Sequence, residues 1–176
     1  AADTSEPVHS VPPGVYGGNM DVKDLGAGTT VYLPVFVPGA NFYAGDPHMV
    51  QGNGEVALTA LEHSMRATFR LTLLKKGDPR IPSASGTLTK PFGETRDYWI
   101  TIGLNPDLNE AMKDAVRESV RFLSEVLGMD RAVAYAYLSA ATDFNVSQVV
   151  DRTKGIHGLI RKADFRKLKH SMKSAA

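Results

Sequence analysis

The chain has 176 residues, with 20 Lys and Arg against 19 Asp and Glu, and 43% apolar and 22% charged side chains. This is the make-up of a folded domain rather than a disordered or nucleic-acid-binding chain, and the near-zero net charge predicts neither nucleic acid nor membrane as a partner. The absence of cysteine excludes disulfides, thiol nucleophiles and Cys-ligated zinc, and fits a cytoplasmic protein.

Residues 1–13 read as an extended polar segment, with neither an initiator Met nor the basic and apolar regions of a signal peptide. They suggest a start made by cleavage of a longer polypeptide. Pro12-Pro13-Gly14 and Gly17-Gly18-Asn19 are strong breaks. Thr29 to Val37 is β-branched and aromatic, a strand with Pro34 at a bulge or an unpaired edge. A Gly-punctuated loop follows over residues 38–54. From Met65 to Lys75, apolar Met65, Ala67, Phe69, Leu71 and Leu73 alternate with Arg66, Thr68, Arg70 and Thr72, which predicts a half-buried strand. Arg96 to Leu104 is a further strand carrying Trp99.

At Asn105-Pro106-Asp107 the period changes. Asn as N-cap, Pro at the first position and early acids predict a helix, with Leu108, Met112, Ala115, Ser119, Phe122, Leu123 and Val126 on its apolar stripe and Gly128 after its end. Asp130 caps a second helix expected to bury Val133, Ala136, Tyr137 and Ala140, with Tyr135 also read as core. The helix pair spans about residues 106–142. Phe144–Val150 and Gly155–Ile160 read as short strands, and residues 161–176 as a basic, weakly helical tail. Isolated charge runs of this kind are usually solvated ends. The expected class is α+β: mainly antiparallel β sheets of sandwich or barrel-like form with a C-terminal helix pair. So few strands would leave a sheet face or edge uncovered, which suggests part of a larger β-rich enzyme.

The densest polar cluster is Gly45-Asp46-Pro47-His48-Met49-Val50-Gln51-Gly52-Asn53-Gly54-Glu55. His with carboxylates suits zinc or a similar divalent ion, and a free Glu beside it suits proton transfer from water. The alternative reading has Asp46 and Asn53 as turn formers, His48 as an ordinary loop residue and Glu55 solvated at a strand edge. Neither a Gly-x-Ser-x-Gly elbow nor a phosphate-binding loop occurs.

Taken in order, Gly17-Gly18-Asn19-Met20-Asp21, Val31-Tyr32-Leu33-Pro34-Val35, Gly45-Asp46-Pro47-His48 and Gln51-Gly52-Asn53-Gly54-Glu55 resemble the central block of the formamidase/acetamidase family. Downstream, Asp107-Leu108, Ala134-Tyr135, Leu138-Ser139, Gln148-Val149-Val150-Asp151 and Gly155-Ile156-His157 look like its C-terminal region. Asn53 departs from the Asp usual in the family and is read as a turn former. Family members are longer, so residues 14–160 resemble the second half of the catalytic domain, with an N-terminal fragment of the same polypeptide as partner and a homo-oligomer as the assembly.

The resemblance implies hydrolysis of small amides, or ring opening of a small lactam, assisted by a divalent metal such as zinc. The roles it suggests are Asp21, Asp46 and His48 as metal ligands, Glu55 as general base, Gln51 to orient the amide, and Asn19 and Glu62 at the substrate. His63 is read as part of a kink, and His157 as structural. The competing reading is a non-catalytic β-rich binding or assembly module.

Overall fold

The computed structural model describes residues 1–165. Its framework is a five-stranded antiparallel sheet in the order β1 (Thr30–Tyr32), β4 (Phe92–Glu94), β5 (Tyr98–Asn105), β7 (Lys154–Arg161), β6 (Asp143–Gln148). A separate two-stranded ribbon pairs β2 (His48–Val50) with β3 (Leu61–Glu62). Helix α1 (Leu108–Arg121) continues through a wider turn over Phe122–Val126 and is followed by α2 (Arg131–Ala141). The antiparallel sheet and the helix pair make this an α+β fold, as expected. No helix among the described residues is long and apolar enough to cross a membrane.

Strand β5 is central and covered on both faces. Trp99, Thr101 and Gly103 point to the helices, where Phe92, Phe122, Leu123, Leu138, Ile160 and Phe165 form the main core. Gly103 permits the closest approach: a Cβ there would lie 2.1 Å from the Ala111 carbonyl oxygen. The buried Thr101 and Ser119 hydroxyls hydrogen-bond across this contact at 2.6 Å. On the opposite face Ile100 and Ile102 pack with Val22, flanked by Met20 and Leu25. The polar N-terminal stretch therefore covers the second face of the sheet and brings Asp21 to its edge.

Helix α1 starts two residues later than the sequence predicts. Asn105 Oδ1 accepts from the Asp107 amide at 2.9 Å, and Asp107 is the N-cap, accepting from Asn109 and Glu110. An Asx-turn and a cap thus share the signal read as one. Asp130 caps α2 as expected, but the buried stripe is Ala134 and Leu138. Val133, Tyr135, Ala136 and Ala140 are exposed, because α2 meets the core along a narrow line on an Ala-rich helix whose pattern does not choose a face. Tyr137 is half-buried and donates to Asp164 at 2.8 Å.

The largest departure is the Met65–Lys75 segment. It forms no regular secondary structure, and both faces are exposed, with Phe69 at 57% and Leu71 at 68%. The alternation is present, but the surface its apolar face would bury against is not. The predicted Thr29–Val37 strand is cut to three residues, since Pro34 has no N–H for the ladder and β1 is an edge strand. In the predicted tail, Lys162–Phe165 form a 3₁₀ turn, and residues 166–176 lie outside the described residues.

Candidate metal centre

Three chain segments meet at the exposed edge of the sheet. Strand β6 ends in a bulge between Val146 and Gln148. Onto it docks the loop that follows β2: the Gly54 amide donates to the Ser147 carbonyl at 3.0 Å, and the Val149 amide donates to the Gly54 carbonyl at 2.9 Å. The third segment is the turn after Gly17-Gly18, which carries Asp21. Gly54 has φ +99° and Glu55 φ +42°. That left-handed pair reverses the chain and turns Glu55 inward, where it is 7% exposed, not solvated at a strand edge.

Asp21, His48 and Glu55 converge so that one ligating atom from each lies within 4.8 Å of the others. Asp46, His48 and Glu62 form a second such group on the solvent side. It follows from the β2–β3 register, which places Glu62 across from His48. The expected ligands Asp21 and Asp46 therefore fall in different groups that share the imidazole. Asn19 is half-buried on the turn ahead of Asp21, and His63 is exposed beyond β3.

Gln51 fixes the state of His48. Its Nε2 donates to the Asp21 carbonyl at 2.5 Å, and more loosely to that of Ser147 at 3.4 Å. Its Oε1 therefore faces His48 Nδ1 at 3.0 Å, and only a protonated Nδ1 satisfies that contact. In the neutral ring Nε2 then carries the free lone pair, as a metal-binding imidazole requires. That Nε2 and Asp21 Oδ2 make no hydrogen bond among the described residues, as expected of groups built to meet a ligand. Nε2 faces the outer group, 3.4 Å from Asp46 Oδ1 and 4.0 Å from Glu62 Oε1, while Nδ1 is the ring atom 3.8 Å from Glu55.

The electrostatics agree. Burial, then the neighbouring Asp151 and Glu55 carboxyls, push Asp21 up to about 9. Burial also raises Glu55, with Asp151 and Asp46 adding and the Asp21 hydrogen bond and His48 opposing. Burial by itself would lower His48, but the Gln51 contact and the carboxylates of Asp46, Glu55 and Glu62 outweigh it and hold the ring above its ordinary value. Crowded buried carboxyls need protons or a cation, and the O and N donors here suit a divalent ion.

Sequence reading left Gln148 and Asp151 without roles, although both stand in the block that carried the resemblance. Gln148 is fully buried and Asp151 nearly so. His157, read as structural, is also fully buried, with Nδ1 2.7 Å from Ser147 Oγ and Nε2 3.0 Å from Asp24 Oδ2. The Asp24 carboxylate accepts from Nε2–H, so Nδ1 accepts from the Ser147 hydroxyl. This ties β6 and β7 to the segment carrying Asp21.

Residues 2–160 match the Acetamidase/Formamidase family. The chain belongs to that family. It is 29% identical over 160 residues to a formamidase of Methylophilus methylotrophus, covering 84% of this chain and 39% of that protein. It is 36% identical over 110 residues to an acetamidase of Mycolicibacterium smegmatis, covering 60% of this chain and 27% of the relative. The structure of an acetamidase from Bacillus halodurans superimposes with a TM-score of 0.75 at 29% identity, covering 93% of this chain and 52% of that one. An acetamidase from Yersinia enterocolitica gives 0.74 at 27% identity, covering 89% and 44%. The chain thus spans less than half the length of these curated relatives and about half of the solved structures.

Proposed function

We propose that this chain supplies one wall of the active site of an amidohydrolase that cleaves the C–N bond of small linear amides to a carboxylic acid and ammonia. The observation that carries the reading is the convergence of four carboxylates on His48, with Asp21 and Glu55 on the inner side and Asp46 and Glu62 on the outer, and with Asp21 Oδ2 and His48 Nε2 buried and without a hydrogen bond among the described residues. Family membership and relatives named formamidase and acetamidase support this reaction class.

The donor set fits zinc or a similar divalent ion, held by His48 and Asp21 with Glu55 or Asp46 beside them. Such an ion, when bound, polarises a carbonyl and makes water acidic near neutral pH. Glu55, raised by burial, takes a proton from water and returns it to the leaving nitrogen. Gln51 is spent on His48 and Asp21, so it acts by holding the imidazole. Asn19 and Glu62 flank the cluster and are assigned to the substrate.

The other wall belongs to the half of the family's length that this chain does not span, here taken as an N-terminal portion of the same polypeptide. The exposed apolar run Met65, Phe69, Leu71 and Leu73 is the surface proposed to meet it, since an apolar band of this kind marks an interface.

The test is to co-produce the chain with the preceding half, measure bound metal, assay ammonia release from formamide and acetamide, and follow ring opening of a small lactam, which frees no ammonia, with an amine-reactive reagent. Stoichiometric divalent metal together with hydrolysis of the linear amides is expected. Full activity in a preparation stripped of metal would overturn the metal-assisted route. Bound metal with no turnover of any amide would favour a binding module.

A further inference from the structure

Beyond the groups assigned above, a fourth side chain is aimed at the cluster from the framework side. Asp151 lies in a left-handed backbone conformation, φ +61°, followed by Arg152 at the same angle. Two consecutive non-glycine residues in this region are costly unless the surroundings impose them. The consequence here is that the Asp151 side chain turns inward, 8% exposed, where its carboxylate accepts from Gln148.

One residue ties these two aspartates together. Gln148 is completely buried. Its Oε1 accepts from the Asp21 amide at 3.0 Å, and its Nε2 donates to Asp151 Oδ2 at 3.1 Å. It sits at the β6 bulge opposite Gly155, where an added Cβ would come within 3.4 Å of the Gln148 side chain. Its own backbone bridges to Gly54, the residue before Glu55. Gln148 therefore touches the segments that supply Asp21, Glu55 and Asp151 at once. The convergence is more than an acidic cluster, because Asp21 is 6% exposed and its Oδ2 is without a hydrogen-bond partner among the described residues.

We propose that Asp151 lends negative charge to the cation site from behind Asp21, outside the converging ligand atoms, and that Gln148 is the positioning residue that fixes Asp21 and Asp151 against each other. This rests on the reading of the cluster as a divalent-cation site. Residues that orient ligands in this way typically carry about 10–100-fold of metal affinity.

The test uses the chain co-produced with its complementary half, with zinc affinity measured by chelator competition and the site's geometry read from the absorption spectrum of bound cobalt(II). Asp151→Asn keeps the acceptor for Gln148 and suits the left-handed backbone, so the zinc-free protein should unfold at an unchanged temperature. Zinc binding should weaken by about 10–100-fold, and the cobalt(II) band should shift. Gln148→Met should act in the same direction. Gln148→Glu keeps the acceptor for the Asp21 amide while removing the donor to Asp151. It should shift the cobalt(II) band even if the Met variant does not fold. Wild-type affinity and spectrum in Asp151→Asn would overturn the role of Asp151, and an unchanged spectrum in Gln148→Glu would overturn that of Gln148. Failure of the unsubstituted assembly to bind zinc or cobalt would instead overturn the underlying site reading.

Discussion

Residues 92–165 and residues 30–75 use apolar side chains in opposite ways. In the first stretch Ile100, Leu123, Ile156 and Ile160 are completely or almost completely buried between a sheet and its helices. In the second, Phe42, Tyr43, Leu61, Phe69, Leu71 and Leu73 are exposed, and regular pairing is limited to β1 and a two-stranded ribbon. The framework satisfies itself, whereas the second stretch carries His48, Gln51 and Glu55 on a loop fastened to the β6 edge. The cluster forms where the two meet, so its chemistry and the stability of the fold should be separable by mutation.

The largest expected effect is on turnover alone. Glu55→Gln should lower kcat for amide hydrolysis by about 10²–10⁴-fold, measured as ammonia release from the chain assembled with its complementary half. The urea midpoint should stay close to that of the parent. A comparable loss of stability would show that Glu55 holds the loop rather than performing proton transfer.

The framework side is probed by truncation of its apolar residues. Leu123→Ala, in the fully buried core, should cost about 2–5 kcal/mol in urea unfolding. Leu71→Ala should stay within about 0.5 kcal/mol in the same chain. If the second stretch docks on the remainder of the polypeptide, Leu71→Ala should become costly only in the assembled protein. Equal costs in the isolated chain would erase the contrast between the regions.

Capping gives a smaller effect. Asp130 accepts from the Ala132 and Val133 amides, and Asp130→Ala should lose about 0.5–2 kcal/mol, read from thermal unfolding.

The smallest effect is expected with pH. Burial lowers the pKa of His157, against the opposing pull of Asp24. Below the ordinary imidazole value of about 6.5 the unfolded chain binds the proton more readily than the folded one. The His157 contribution is therefore present above that value and is lost as pH falls through it towards the lower folded value. Unfolding at pH 7.5 and 5.5 should show this loss in the parent, and His157→Gln should flatten it. An unchanged slope in the variant would assign the pH dependence to other groups.

Much of the framework was legible locally. Asn105-Pro106-Asp107 and Asp130 mark helix starts because capping needs only a side-chain oxygen near the chain's own amides. The sheet strands 98–105, 143–148 and 154–161 carry enough apolar and β-branched residues to be recognised before pairing is known. Of the candidate site, Asp46, His48, Gln51 and Glu55 stand close together in sequence, and Asp21 entered through the resemblance. Gln148 and Asp151 carried no local signal of a role, because theirs comes from contact with segments nearly a hundred or more residues away.

The sequence by itself determined the α+β class, the capped helices and the loop that holds the chemistry, since these follow from periodicity, capping and turn residues acting over a few positions. Only the tertiary structure decided which side chains share one point. The β6 bulge, the docking of Gly54 on Gln148 and the folding of Met20–Leu25 across the sheet bring Asp21, His48 and Glu55 together. It also decided that the Met65–Lys75 alternation stays exposed, because an apolar face is buried only where a complementary surface exists to receive it.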